Sequence, residues 1–378
     1  MRFATKAIHA GQQPDPLSGA IMTPVYLTST YVQQELGKNK GYEYSRVNNP
    51  TRDALEANIA SLEGGKNGFA FGSGMAAIDS IFRLLPPGSH IIVSHNVYGG
   101  TYRIGKMIWE EFGLKFEFVD TTKLGLVRKA IRKQSRMILV ESPTNPTMEI
   151  TDLTAVAELA RKHKLVSVAD NTFATPYLQR PLEHGFDLVV HSLTKYLNGH
   201  SDMLGGMIVT DNKAITERLR FFQKAIGGIL SPFDAWLCLR GTKTLAVRME
   251  QHGKSAMHIA QWLARQPKIR SVHYPGLRSH PQHRLAARQM RNFGGMISFD
   301  LGSLAAAKRF LKRVRVCALA ESLGGVETLI SHPATMTHAS IPPARRRAIG
   351  VTDGLVRISV GLEDVDDIID DLSHALRS

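Results

Sequence analysis

The chain has 378 residues, of which 43% are apolar and 21% charged, and a formal charge of +14. That length exceeds one ordinary core and predicts two lobes, and the composition excludes extensive disorder; no apolar run approaches the roughly 18 residues of a membrane helix. The excess positive charge falls in short runs on expected helices (Arg128 to Lys133, Arg161 to Lys164, Arg345 to Arg347) without a nucleic-acid motif, so it reads as solvated helix surface and local support for anionic ligands, not as a nucleic-acid site.

In chain order, residues 1 to 45 read as an arm that is interrupted by glycine and proline, with some strand character over Tyr26 to Tyr31. Its beginning, with Arg2, Lys6 and His9 and few apolar residues, is not expected to be a secretory signal. From Pro50 the pattern changes, and Thr51 to Glu63 has the apolar spacing of a helix that stops at Gly64-Gly65. Short β-branched runs then alternate with helical stretches. Strands are expected at Asn67–Phe71, His90–Val93, Phe116–Val119, Met137–Val140, Val166–Ala169 and Leu188–Val190. Helices are expected at Gly74–Leu85, Tyr102–Phe112, Lys123–Lys133 and Leu153–His163. This alternation predicts a mainly parallel sheet covered on both faces, in a large α/β domain over residues 46–231. Residues 232–378 read as a smaller α+β domain. It would hold one long helix from Pro232 to about Gln266, bent at Gly241 or Gly253, strands Gly295–Asp300 and Leu355–Val360, and helices Leu304–Val314 and Val365–Leu376. The cysteines, Cys238 and Cys317, form neither CxxC nor a metal spacing, which predicts reduced thiols in the cytoplasm. His280, His283 and His332 to His338 lack the ligand pattern of a metal site, and none is expected.

Ligands of an open α/β sheet collect where the strands end, so the residues that follow each strand carry the chemistry. After Phe69-Ala-Phe comes Gly72-Ser-Gly-Met-Ala-Ala, a glycine turn that opens a helix and offers amide groups to a phosphate. After Val166-Ser-Val-Ala comes Asp170, and after Leu188-Val-Val comes His191-Ser-Leu-Thr-Lys-Tyr. Each has a bland reading as turn, cap or surface residue, but together they match the chemistry of pyridoxal 5'-phosphate (PLP). Gly74, Met75, Ser192 and Thr194 suit its phosphate, Asp170 its ring nitrogen, and Lys195 its aldehyde.

These residues resemble the Cys/Met metabolism family of fold type I PLP enzymes. That family includes cystathionine γ-synthase, cystathionine γ- and β-lyases, methionine γ-lyase and the acylhomoserine sulfhydrylases. The likeness covers nearly the whole chain. It is carried by Tyr42-Glu-Tyr-Ser-Arg-Val-Asn-Asn-Pro-Thr-Arg, Gly72-Ser-Gly-Met-Ala-Ala, Val97-Tyr-Gly-Gly-Thr-Tyr, Glu141-Ser-Pro-Thr-Asn-Pro, Val168-Ala-Asp-Asn-Thr-Phe, Ser192-Leu-Thr-Lys-Tyr with Gly199-His-Ser-Asp, and Met336-Thr-His-Ala-Ser. The resemblance implies that Tyr98 stacks on the cofactor ring and that Thr172, beside Asp170, belongs to the cofactor site. It implies that Asn145, Ser322 and Glu321 serve cofactor or substrate, with Glu321 meeting the distal amine of cystathionine, and that Arg357 takes the substrate carboxylate. Tyr44 and Arg46 would bind the phosphate in a neighbouring subunit, within a homotetramer built from two active dimers.

The expected activity is cleavage of a C–S bond of L-cystathionine by elimination. Lys195 would act as the base and Tyr98 would carry a proton to the leaving sulfur. Gly100 stands where methionine γ-lyases usually have cysteine, and Ser322-Leu-Gly-Gly replaces the Ser-Trp-Gly-Gly of enterobacterial β-lyases. The first counts against methionine γ-lyase; the second, with Glu321 before it as in γ-synthases and γ-lyases, leans the reading towards γ-cleavage, with β-cleavage open and cystathionine γ-synthase as the runner-up. An aminotransferase of similar fold and a basic binding protein on a degenerate enzyme fold are the readings from other classes.

Overall fold

In the computed structural model, which describes residues 1–377, the strands fall into two sheets. Ser378, counted above in the C-terminal domain, lies outside the described residues. The large sheet comprises β1 (Asn67–Phe71), β2 (His90–Ser94), β3 (Lys115–Val119), β4 (Ser135–Glu141), β5 (Val166–Asp170), β6 (Leu188–Ser192) and β7 (Gly206–Thr210), in the order β1-β7-β6-β5-β4-β2-β3. Only β7 runs against its neighbours. The sheet is thus mainly parallel, and β7 is an element the sequence reading did not contain.

Alternation along each strand builds two apolar layers. Met137 and Leu139 of β4, Val168 of β5 and Val190 of β6 face the helices Gly74–Phe82 and Lys213–Ile226. Ile138, Val140 and Ala169 face the helix Leu153–Lys162 on the other side. The same parity sends Glu141, Asp170 and Ser192, the last residues of β4, β5 and β6, to the face that the Gly74–Phe82 helix covers. The site is built there.

The second sheet comprises β8 (Ser271–His273), β9 (Met296–Asp300), β10 (Ala318–Leu319), β11 (Leu329–Ser331) and β12 (Leu355–Ser359), in the order β10-β11-β12-β9-β8. Its apolar face packs on the helices Leu245–Leu263, Leu304–Leu311 and Val365–Leu376. The long helix expected from Pro232 is instead two helices, Pro232–Thr242 and Leu245–Leu263, parted at Lys243-Thr244. Neither Gly241 nor Gly253 interrupts a helix. Each is small because another backbone or side chain lies against it, Asn198 at Gly241 and Asn292 at Gly253. The helix expected over Tyr102–Phe112 is also divided, into Gly99–Ile104 and a π-helical turn Gly105–Trp109.

The stretch read as an arm has two parts. Phe3–His9 is a helix docked on the helix Pro50–Glu63, where the buried Asn58 amide donates to the carbonyls of Lys6, Ala7 and Ala10 at 3.3, 3.3 and 2.9 Å. Residues 12–48 form turns and isolated bridges only, and the strand character at Tyr26 to Tyr31 amounts to one bridge between Thr30 and Tyr44. Cys238 and Cys317 are free and buried. No helix among the described residues is long and apolar enough to cross a membrane.

Candidate functional site

A cavity of about 240 Å³ opens where β4, β5 and β6 end. The helix Gly74–Phe82 begins at its rim. The Ser73 side chain caps that helix by accepting the Ala76 N–H at 3.0 Å. The amides of Gly74 and Met75, in the first turn, have no intrahelical acceptor and carry the positive end of the helix dipole. A side chain at Gly74 would press on the Ser192 Cβ and hydroxyl at 3.2 and 3.3 Å, so glycine brings this turn against the strand end. Ser73, Gly74, Met75, Ser192 and Thr194 border one end of the cavity. These amides and hydroxyls are the donors a phosphate needs.

Asp170 borders the cavity at the end of β5. Its Oδ1 accepts the Thr172 N–H at 3.0 Å, and the Thr172 hydroxyl accepts the Ser192 N–H at 3.0 Å, so Thr172 joins two strand ends. Burial raises the Asp170 carboxyl above its ordinary range, against the hydrogen bonds from Thr172. A carboxylate held this way gains from a cation brought beside it. Beneath it, on the opposite face of the sheet, the fully buried pair His191 and Glu63 is joined through Nε2 and Oε1, and Asn171 donates to the same oxygen at 2.9 Å.

Lys195 sits in the loop after β6, and its amine donates to the Ser322 hydroxyl at 2.7 Å. Burial, with the nearby Arg357 charge, pushes the amine down to about 8. Ser322 holds a left-handed backbone at φ +86°, rare for a side chain other than glycine or asparagine. That conformation turns its carbonyl to accept from Arg357 at 2.9 Å while its hydroxyl meets Lys195.

Arg357, in the middle of β12, is 2% exposed, so it is not a surface ion pair. One of its NH groups donates to Asn145 Oδ1 at 2.9 Å, another to the Ser322 carbonyl, and its buried Nε has no partner. A buried guanidinium with an unspent donor, on a cavity wall, is suited to a carboxylate ligand. Tyr98 also lines the cavity. Its ring lies over Gly100, where a Cβ would collide with it and with the Met75 sulfur. Burial raises the Tyr98 phenol above its ordinary value. Glu321 borders the mouth of the cavity and is exposed.

The cavity therefore gathers Lys195, Tyr98, Asp170, Gly74, Met75, Ser192, Thr194, Thr172, Asn145, Ser322, Glu321 and Arg357. Tyr44 and Arg46 are elsewhere. Both are exposed, Arg46 lies over the Tyr44 ring at 5.4 Å, and its guanidinium donates to the Lys224 carbonyl. The sequence reading did not single out Glu141, a buried carboxylate on the cavity wall. Extending the expected strand Met137–Val140 by one residue, under the same strand-end rule that returned Asp170, recovers it. Thr101 and Thr337 also border the cavity, on elements whose approach is set by packing.

The histidines checked for metal binding have other partners. His338 Nε2 meets the Asn145 carbonyl at 3.0 Å, His332 meets Thr335 and the Asp353 carbonyl, and His283 meets the Pro275 carbonyl. Among the described residues no group of three or more His, Cys, Asp or Glu side chains is arranged to hold a metal.

The cavity fits PLP on its own features: a glycine-lined cradle of amides and hydroxyls, a buried carboxylate and a low-pKa amine. Comparison with known proteins agrees. The family model described as Cys/Met metabolism PLP-dependent enzyme matches residues 4–377. A cystathionine beta-lyase from Coxiella burnetii is 56% identical over 375 residues, covering 98% of this chain and 97% of the relative. A cystathionine gamma-lyase from Bacillus subtilis is 49% identical over 378 residues, with both chains fully covered. The crystal structure of a cystathionine gamma-lyase from Lactobacillus plantarum complexed with L-serine superposes with a TM-score of 0.97 at 46% identity, covering 100% of this chain and 99% of that one.

Proposed function

Because the chain belongs to the Cys/Met metabolism family of PLP-dependent enzymes, we propose that it breaks a carbon–sulfur bond of L-cystathionine by elimination. One observation carries this reading. A lysine amine pushed down to about 8 stands in a cavity that also holds a buried carboxylate at a strand end and a buried arginine with an unspent donor. PLP, when bound, supplies an aldehyde for the substrate amine and a ring that spreads the charge left when Cα loses its proton.

The chain's own residues do the rest. Gly74, Met75, Ser192 and Thr194 would hold the phosphate, Asp170 with Thr172 behind it would keep the ring nitrogen protonated, and Tyr98 would stack on the ring. Arg357 binds the substrate carboxylate, held in plane by Asn145 and Ser322. The Lys195 amine, steered by the Ser322 hydroxyl, takes the Cα proton, and for γ-cleavage a Cβ proton follows. The raised Tyr98 phenol is protonated at neutral pH and can donate to the leaving sulfur. Glu321, exposed at the mouth, faces the distal amine of the substrate.

The reading keeps γ-cleavage first. β-Cleavage is the second reading, favoured by the 56% identity with a beta-lyase. Product analysis with L-cystathionine tests both: cysteine, 2-oxobutyrate and ammonia mark γ-cleavage, and homocysteine, pyruvate and ammonia mark β-cleavage. Consumption of an O-acylhomoserine with cysteine and no keto acid would replace both readings with a synthase. Transfer of the amino group to an α-keto acid would replace them with an aminotransferase.

We also propose a cytoplasmic homotetramer of two active dimers. Residues 12–48 expose Leu17, Ile21, Leu27, Val32 and Leu36, and Tyr44 and Arg46 lie outside their own chain's cavity. Both features suit an arm that reaches a neighbour's phosphate.

A further inference from the structure

We propose that Glu141 is a positioning residue that sets the gap between the two walls of the cavity, an inference that rests on the PLP reading above. Glu141 is the last residue of β4 and is 3% exposed. Its two oxygens have separate tasks. Oε2 accepts the Tyr98 N–H at 2.8 Å, and Oε1 accepts the Asn145 N–H at 2.8 Å. Tyr98 carries the ring wall and opens the helix Gly99–Ile104. Asn145 holds the Arg357 guanidinium through its own Oδ1. One planar carboxylate therefore ties the ring-covering wall to the carboxylate-binding wall, two loops that are 43 and 4 residues away from it in sequence.

The chemistry of the side chain makes glutamate specific here. Two N–H donors from different loops converge on it, so both of its terminal atoms must accept. Glutamine has one acceptor oxygen, and its amide would point a donor at a donor. Aspartate is a methylene too short to reach both. Burial and the neighbouring Asp170 charge push the Glu141 carboxyl well above its ordinary range, and the two amide donors and the nearby Arg357 charge oppose that push. The strand register pairs Glu141 with Asp170, so the two carboxylates lie side by side on one face of the sheet. Each is raised by burial, and Glu141 also by the Asp170 charge, so a cation brought beside Asp170 would favour the ionised form of both.

The test uses the full-length protein and the Glu141→Gln variant. It compares the PLP dissociation constant from titration of apo-protein, the near-visible circular dichroism of bound PLP, and the split between KM and kcat on L-cystathionine. Losing one charge-assisted hydrogen bond while facing donor to donor should weaken PLP binding and raise KM by about tenfold each. It should also weaken the dichroic band, because the ring is no longer held at one setting against Tyr98. A purely structural glutamate would lower the thermal midpoint and leave all three unchanged in the folded protein. Values within about twofold of the parent overturn the proposal. The Glu141→Asp variant, which keeps the charge, should shift the same quantities in the same direction by a smaller factor. Should the glutamine variant not fold, an aspartate variant indistinguishable from the parent overturns the proposal by itself. If the parent binds PLP but leaves L-cystathionine intact, the substrate reading fails, and the dissociation constants and dichroism still decide the role of Glu141.

Discussion

Lys195 and Tyr44 were both expected to meet the same cofactor, yet they occupy opposite kinds of place. Lys195 stands in a loop fixed at the ends of parallel strands, with its amine bonded to Ser322 and its pKa lowered by burial. Tyr44 is 43% exposed, in a segment without helices or strands, and its neighbour Arg46 spends a donor on the Lys224 carbonyl. The difference separates two ways of building a site. Strand register and side-chain parity bring Asp170, Ser192 and Glu141 together within one chain. A residue on an irregular segment acquires a site only when another surface comes to it.

Substitutions can break this contrast, and the largest effect belongs to the strand ends. Lys195→Ala should remove the near-visible absorbance of lysine-bound PLP and lower kcat by about a thousandfold or more, since both the attachment point and the base are lost. A variant that keeps absorbance and activity would place the chemistry elsewhere. Arg46→Ala should act more gently and through assembly. We expect PLP affinity to fall by about tenfold in the oligomer, with the absorbance of the bound cofactor preserved. Equal PLP affinity in the variant and the parent would leave the arm outside the site and remove the contrast.

The smallest effect sharpens the contrast without mutation. Burial pushes His252, His280 and His338 down to about 4, from an ordinary 6.5. They are neutral in the folded chain and take up protons when it unfolds. Between those two values the unfolded state binds more protons, so stability must fall as pH drops from 6.5 towards 4. His338 braces Asn145 and His252 meets the Val360 carbonyl, so the loss should appear first around Arg357. Hydrogen exchange at pH 7 and pH 5 measures it, and protection around β12 that does not change with pH would count against neutral buried histidines.

Much of the fold was legible because local rules agreed with one another. Short β-branched runs between amphipathic helices can pack only as a covered parallel sheet, and every strand expected in the large sheet is present within a residue or two. Glycine led to one error, because Gly241 and Gly253 look like helix breakers and serve as contact points for Asn198 and Asn292. β7 was missed because Gly206–Thr210 reads as one more apolar run, and only its pairing with both β1 and β6 fixes its reversed direction.

The sequence by itself determined the large sheet apart from β7, the strand ends that carry Asp170 and Lys195, and the phosphate-suited turn at Gly74, because each follows from neighbours within a few residues. The tertiary structure alone decided that Arg357 is buried with an unspent donor, that Ser322 is held in a left-handed turn between Lys195 and Arg357, and that Glu141 spans two walls. Apart from the four-residue step between Glu141 and Asn145, those facts depend on contacts between segments 35 to 212 residues apart, and chain packing, which no local pattern encodes, chooses which of them meet.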